Sequence, residues 1–406
     1  MLSAESPRSQ TAGRAPVAAE QAASQPRPYR ACTQCVMDTS DEEISFDDQG
    51  RCHHCTSYAN NIAHHAGMVS AEIRAQQLAK AVGRMKREGK GRRYDCVIGL
   101  SGGVDSSYVA LKVKELGLRP LAVHVDNGWN TETAVANVER VVRGLKLDLY
   151  TEVLDWEEFR DLQVAFLRGG TPDYEIPTDH AIIASVFKTA WRFRVRSLVM
   201  GYNVASELVL PPTWARGHFD WWYIKSVNER FGRGRLRTFP HFGPADYLRY
   251  RVTTARSTLN LLNFIDYSRD RAIGELEAAI GWRNYGGKHY ESIYTRFIQG
   301  HVLPERFGYD KRRAHLSSLI LAGKKTREEA LAQLEKSTYE SEALRANDRI
   351  YVMKKLGLSE ADFDAIMSAP KRTIADFESL FDARSFRAAR TLYRAARSSI
   401  GSLRTA

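Results

Sequence analysis

The residues Gly99-Leu100-Ser101-Gly102-Gly103-Val104-Asp105-Ser106 close an apolar run that starts at Tyr94, and they open a helical-looking stretch from Ser107 to Val113. Two adjacent glycines between a strand and a helix leave backbone amides uncovered by any Cβ, so anionic oxygens can approach them closely. The helix that follows adds unpaired N–H donors and a partial positive charge at its start. The string therefore reads as a cradle for pyrophosphate. A Gly-x-x-x-x-Gly-Lys-Ser/Thr string occurs nowhere in the chain, which excludes a Walker-type loop. A strand that feeds a helix through such a turn also constrains the architecture, to an α/β unit with a parallel sheet.

The following stretches keep that alternation. Arg119 to Asp126 reads as a second strand, Thr131 to Leu145 as a helix, Leu147 to Val153 as a third strand and Ser197 to Tyr202 as a fourth. In a doubly wound sheet ligands sit beyond the carboxyl ends of the strands. Ser101, Gly102, Gly103, Asp105 and Ser106 of the loop are therefore expected to share one cleft with Asp126, Asn203 and Glu207. Asp105 and Glu207 are the candidates for Mg²⁺, a hard ion that prefers carboxylate and phosphate oxygens, although a carboxylate in either place also serves as a helix cap.

The chain holds five cysteines. Cys32-x2-Cys35 and, sixteen residues on, Cys52-x2-Cys55 have the paired spacing of a closed tetrahedral zinc site. Between them Glu43 to Asp47 alternates polar and apolar and Asp48-Gln49-Gly50 reads as a turn, so a zinc ribbon is expected, with His53 and His54 exposed beside it. Four thiolates leave no open coordination position, so this Zn²⁺ is structural. Cys96 lies in the first strand and reads as a small core residue. With no cysteine left over, the chain lacks a nucleophile for a glutaminase of its own and thiols for sulfur transfer.

Two further segments carry more polar groups than folding needs. Pro172 to His180, containing Glu175, Thr178, Asp179 and His180, leads into an apolar helix from Ala181 to Trp191, with Thr178 or Asp179 available as its N-cap. Tyr285 to His315 holds Gly286-Gly287, a turn that can aim Lys288 and His289 at a ligand, followed by Glu291, Arg296, Lys311, Arg312 and Arg313. Arginine forks of this kind bind diphosphate or carboxylate, and equally form solvated helix faces.

With 406 residues, 43% of them hydrophobic and 26% charged, the chain has room for two or three units with true cores. No apolar run approaches the length of a membrane span. The net charge of +11 suits nucleic acid, an acidic surface or phosphorylated small molecules alike. The expected organisation is a disordered leader over 1–30, a zinc ribbon over 31–60 and a helical linker over 61–92. A nucleotide-binding α/β domain over 93–240, a substrate-binding and helical region over 241–368 and a basic helical tail over 369–406 complete it. In that tail Arg384, Arg387, Arg390, Arg394 and Arg397 share one helix face. Thr326-x-x-Glu329 and Ser359-x-x-Asp362 read as capping boxes, and Gly323 as a helix stop.

The loop resembles that of the PP-loop ATP pyrophosphatases, which split ATP between the α- and β-phosphates. The ordered set of Cys-Thr-x-Cys-Val-Met-Asp-Thr, the loop, Glu-Ile-Pro-Thr-Asp-His, Gly-Tyr-Asn, Gly-Gly-Lys-His-x-Glu-Ser and Phe-Gly-x-Asp-Lys-Arg-x-Ala-His is similar to the N-acetyl sugar amidotransferase family across roughly residues 30 to 368. That resemblance implies a cytoplasmic enzyme of bacterial surface-polysaccharide synthesis that converts an acetamido group of an activated sugar into an acetamidino group. It implies ATP, Mg²⁺ and structural Zn²⁺, and ammonia from a separate glutaminase and channel pair. Asp105, His180, Lys288 and His289 are then candidates for the chemistry, and Glu175, Asp179, Glu291, Arg296, Lys311 and Arg312 for the sugar. Zinc-ribbon PP-loop enzymes of transfer-RNA thiolation are the alternative. The charge of +11 suits RNA, but the missing sulfur-handling cysteines argue against it, so nucleic acid is not the expected partner.

Overall fold

A computed structural model of the chain describes residues 27–62, 70–287 and 290–380. The leader before residue 27, Lys288, His289 and the arginine-rich tail lie outside the described residues. After the cysteine segment come α1 (His53–Ile62) and α2 (Ala71–Glu88), then β1 (Cys96–Gly99), α3 (Val104–Glu115), β2 (Pro120–Asp126), α4 (Glu132–Leu145) and β3 (Asp148–Val153). Next are α5 (Trp156–Gly169), α6 (Ile176–Arg192), β4 (Ser197–Met200), α7 (Val204–Glu207), α8 (Trp221–Phe231), α9 (Pro244–Thr253), β5 (Ser257–Asn260) and α10 (Arg269–Ile280). The remainder is helical: α11 (Ile293–Phe297), a π-turn over Ile298–Val302, α12 (Leu303–Phe307), α13 (Lys311–Leu321), α14 (Arg327–Leu334), α15 (Glu342–Leu356) and α16 (Glu360–Ser368).

The sheet has five strands in the order β3-β2-β1-β4-β5, all parallel. The order reverses at β1, so the fold is doubly wound and the loop after β1 sits at the switch point. Successive residues of β1 serve opposite faces, as the two-residue period of a strand requires. Cys96 and Ile98 join a core with α2, α3, α4 and α10, while Val97 packs with Ala184, Phe187 and Ala190 of α6 and Tyr250 of α9. Cys96 is fully buried and burial pushes its thiol up, as a core cysteine should behave.

Three expectations change here. The sheet gains a fifth strand, β5, whose Ser-Thr-Leu-Asn sequence has a single apolar residue because it is an edge strand of four residues. Over the expected linker, α2 inserts Leu78, Val82 and Met85 into the core beside Cys96, so it is part of the α/β unit. And α6 starts at Ile176, with Pro177 in its first turn and no side-chain cap, so Asp179 and His180 lie inside the helix rather than at its cap. The capping boxes at Thr326 and Ser359 form as expected, and Gly323 adopts φ +67° after α13.

Candidate active site and metal centre

The four paired cysteines are buried, with Cys32 and Cys55 sulfurs 3.7 Å apart, Cys35 and Cys52 3.6 Å, and Cys52 and Cys55 3.7 Å. A tetrahedral shell with Zn–S bonds of about 2.3 Å sets its sulfurs about 3.8 Å apart, whereas a disulfide would need about 2.05 Å. Amides of Gln34, Cys35 and Cys52 donate to the Cys32 sulfur at 3.4, 3.4 and 3.2 Å, which stabilises thiolate charge. The residues fit Zn²⁺. The ribbon itself is reduced to isolated antiparallel bridges, Ala31 with Asp38 and Phe46 with Cys52. His54 is not an exposed turn residue: it is buried in the first turn of α1, its Nε2 2.7 Å from Asp41 Oδ2. The metal centre is welded to the helical region. Arg313 bonds Asp38 at 3.0 Å and the Val36 carbonyl at 2.8 Å, and Arg327 donates to the carbonyls of Cys35 and Cys32 at 3.1 and 3.0 Å.

The glycine loop lies between the carboxyl end of β1 and the first turn of α3. Gly102 has φ +82°, and a Cβ there would come within 2.3 Å of the Ala134 carbonyl oxygen, so only glycine fits. Ser106 Oγ bonds Ser101 Oγ at 3.0 Å and accepts the Ser101 amide at 3.1 Å, which ties the loop into a closed turn. A Cβ on Gly103 would meet Ser101 Oγ, Glu291 Oε1 and the Tyr285 hydroxyl at 3.1–3.2 Å, so the loop is enclosed by a segment remote in sequence. Tyr285 also accepts the Val104 amide at 3.2 Å, and Trp282 donates to the Gly102 carbonyl at 3.2 Å. Tyr267 donates to Asp105, while burial and the Asp105 and Glu207 charges raise its hydroxyl pKa. Asp105 lies under Gly201 at the end of β4, and Asn203 caps α7 and donates its own backbone amide to the Glu207 carboxylate at 3.2 Å. Asp126 ends β2 and accepts the Gly128 amide at 3.0 Å. The expected loop and strand-end residues thus lie at one end of the sheet.

A second charged group lies at the same end. α6 packs on β1 and β2 and leads back to the start of β4, so its first turn stands at the carboxyl ends of the strands. Here Lys311 Nζ is 3.6 Å from Glu175 Oε2, and Gln299 donates to the same oxygen at 2.6 Å. Asp173 and Asp179 complete the group. Burial raises the Asp173 carboxyl to about 6, with Glu175 adding to this and Lys311 opposing it. Burial, then Asp173 and Glu175, hold Asp179 well above the ordinary carboxylate range, although its side chain still reaches solvent. Burial works against the charge of Lys311, but the three carboxylates outweigh it and its pKa rises. The result is three acids around one ammonium group, with Asp179 the member open to water.

Residues 291–390 match the family described as "LPS biosynthesis protein WbpG-like, C-terminal domain". Among curated proteins none matches the chain. Among solved structures, the NMN synthetase from Francisella tularensis is 15% identical, with 68% of this chain and 96% of that one covered and a TM-score of 0.33. The NH3-dependent NAD synthetase from Campylobacter jejuni subsp. jejuni, in complex with the nitrate ion, is 13% identical, with 75% and 99% covered and a TM-score of 0.31. Likenesses as loose as these say nothing of activity.

Within the matched residues 291–390 two of the expected sugar-binding arginines are engaged by protein. Arg296 forms a two-pronged contact with Asp348 at 2.6 and 2.8 Å and lies over the Tyr290 ring. Arg312 holds Asp310 and the carbonyls of Lys336 and Ser337. Glu291 lies against the loop rather than beside Lys311, because its carbonyl accepts the Thr131 amide at 2.9 Å and strings the segment along the end of β2. His180 does not face the cleft chemistry. It is fully buried in a stack with Phe242, Trp221 and Phe239, its Nδ1 2.8 Å from the His218 carbonyl and its Nε2 accepting the Phe242 amide at 3.4 Å. Burial lowers its pKa to about 4. Tyr267, Arg269, Tyr285 and Asp173 were not anticipated. Arg269 fixes the Gly286 carbonyl at 3.0 Å and so positions the turn before Lys288. Asp173, in the polar run before α6, and Tyr285, next to the paired glycines, each lay in a segment that the sequence marked as unusually polar, whereas Tyr267 and Arg269 carried no signal.

Proposed function

We propose that this chain is an ATP-dependent amidotransferase of lipopolysaccharide synthesis, replacing the acetamido oxygen of an activated sugar by nitrogen. The observation that carries the reading is the loop. It is a closed Ser-Gly-Gly turn at the switch point of a doubly wound sheet, backed by the start of α3 and faced by Asp105, Glu207 and Tyr267. The WbpG-like match and the ordered motifs support the choice of sugar chemistry.

An amide carbon is a weak electrophile because its oxygen is a poor leaving group. In this reading the amide oxygen attacks the α-phosphate of ATP, the bond to the β-phosphate breaks, and pyrophosphate leaves against the loop amides. Ammonia then adds to the resulting O-adenylyl imidate and AMP departs with the former amide oxygen. Asp105 and Glu207 are the residues that would hold Mg²⁺, which supplies charge neutralisation at the phosphates. Asp179 takes the proton that ammonium must lose, since a carboxyl held well above its ordinary range is matched to that transfer. Glu175 and Lys311 orient the sugar beside it. Ammonia comes from a partner glutaminase, because Cys96 is buried and the other four cysteines are committed to metal.

The test is to incubate the protein with Mg-ATP, ammonium and candidate nucleotide sugars. AMP with pyrophosphate, and a sugar product one mass unit lighter, are expected. ADP with phosphate would overturn the mechanism.

A further inference from the structure

The opposite end of the sheet is built differently. The amino ends of β1, β4 and β5 are preceded by Arg92, by Arg194 and Arg196, and by Thr253 and Thr254, and together with Trp191 and Arg192 from the end of α6 they line a cavity of about 540 Å³. No carboxylate lines it. Among the described residues no ion pair joins any of these four arginines to an acid, the nearby Asp95 and Asp148 being taken by Arg119 and Arg93; Arg192 lies over the Tyr150 and Phe193 rings at 5.6 and 5.8 Å, and Arg92 donates to the Arg194 carbonyl at 2.8 Å. Arg194 holds φ +55°, the left-handed turn that ends α6, with the Val195 amide returning to the Ala190 carbonyl at 2.8 Å. Arg249, on α9, lies over the Trp191 ring at 5.1 Å and is paired with Asp246 at 2.9 Å, so it links the two helices without adding free charge.

α9 carries apolar residues outward. Tyr250 is its buried residue, and at 100° per residue Leu248 and Val252 point almost opposite to it. They are 64% and 62% exposed, and Trp191 beside them is 48% exposed. Two aliphatic side chains on the outer face of a surface helix, one turn from the arginine cavity, put apolar and cationic groups on the same side of the molecule. They match the interface of a bilayer, where arginine takes phosphate headgroups, tryptophan sits at the headgroup level and aliphatic side chains enter the acyl boundary.

We propose that this face docks on an anionic phospholipid surface, with Leu248 and Val252 inserting and Arg92, Arg192, Arg194 and Arg196 meeting the headgroup phosphates. The argument is charge complementarity joined to exposed aliphatic surface. A single-stranded nucleic acid would use the arginines and Trp191 but gains nothing from Leu248 and Val252, since bases stack on aromatic and not aliphatic groups. Docked this way, the chain turns the carboxyl ends of its strands, and the site there, away from the lipid. The inference is independent of the proposed reaction, because it uses none of the residues assigned to it.

Co-sedimentation of the full chain with vesicles tests it. Binding is expected to vesicles of phosphatidylcholine mixed with phosphatidylglycerol, to weaken with salt, and to be absent for phosphatidylcholine alone. Leu248→Asp with Val252→Asp should lower the partition roughly tenfold, and Arg194→Glu at least about fivefold, the worth of one basic residue near an anionic surface. Both sites are exposed, and circular dichroism checks the fold of each variant. Bromine-labelled lipid should quench fluorescence in the wild type more than in Trp191→Phe. Equal binding of wild type and the Leu248/Val252 variant, no preference for anionic vesicles, or tighter binding to a single-stranded RNA oligonucleotide than to vesicles would each overturn the proposal.

Discussion

The two ends of the sheet present opposite solutions to the placement of charge. At the carboxyl end nearly every charged group is engaged: Asp105 by Tyr267, Lys311 by Glu175, Arg296 by Asp348, Arg313 by Asp38. At the amino end Arg119 pairs with Asp95 and Arg93 with Asp148, but beside them Arg92, Arg192, Arg194 and Arg196 line an open cavity without an acid among them. α6 spans both, with Glu175 and Asp179 at its start and Arg192 at its finish, the arrangement that its dipole favours. A closed network holds a small substrate and positions protons. An open cationic face beside exposed aliphatic residues recruits an extended anionic surface. Changes at one end should therefore leave the function of the other intact.

The largest effect expected is from the metal centre. Removing zinc with a chelator, or Cys52→Ser, forfeits a binding free energy of about 10 kcal/mol or more that is available only to the folded ribbon. Because Arg313 and Arg327 clamp that ribbon to α13 and α14, heat unfolding should move sharply downward and ATP turnover should go with it. A zinc-free protein with unchanged melting temperature would detach the ribbon from the carboxyl end.

Arg296→Ala comes next. It leaves Asp348, whose side chain is 6% exposed, without its guanidinium, and breaking a buried pair in this way costs about 3–5 kcal/mol. Chemical denaturation should show the loss. A small stability change with a large rise in KM would instead make Arg296 a sugar-binding group.

Asp105→Asn should lower AMP formation by about 10²–10³-fold with the melting curve and vesicle binding preserved. If vesicle binding falls in parallel, the two ends are coupled and the comparison fails.

Smaller effects are expected from pH. Facing Asp179 are Asp173, Glu175 and Lys311; burial first, then the two carboxyls, hold it protonated above its ordinary range, with Lys311 opposing. Turnover should then rise with pH as Asp179 loses its proton, and Asp179→Asn should remove that limb rather than shift it. For Asp173, a folded pKa of about 6 against 3.8 means that the neutral form stabilises the fold below pH 4. That contribution is lost as pH rises through about 6. Asp173→Asn should thus flatten the fall in melting temperature over this window.

What the sequence made legible was local. Glycines between a strand and a helix, cysteines three apart and Ser/Thr capping boxes each act within a few residues, and the loop, the thiolate cluster and the starts of α14 and α16 formed where expected. The misreadings were of orientation and partnership. Helical spacing could not say that His180 faces an aromatic stack while Asp179 beside it reaches water. Arg296 and Asp348 are fifty-two residues apart, and Tyr267 reaches Asp105 across one hundred and sixty-two, so neither pair leaves a trace in the local pattern. β5 escaped notice because an edge strand needs few apolar residues.

The central claim is that the amide oxygen of the sugar becomes bonded to the α-phosphate of ATP at this loop. It is tested most directly by placing heavy oxygen in the acetamido carbonyl and weighing the nucleotide released in a single turnover with ammonium. The account predicts that the label leaves in the phosphate of AMP, with none in pyrophosphate. Label retained on the sugar or released to water, with AMP unlabelled, would contradict it.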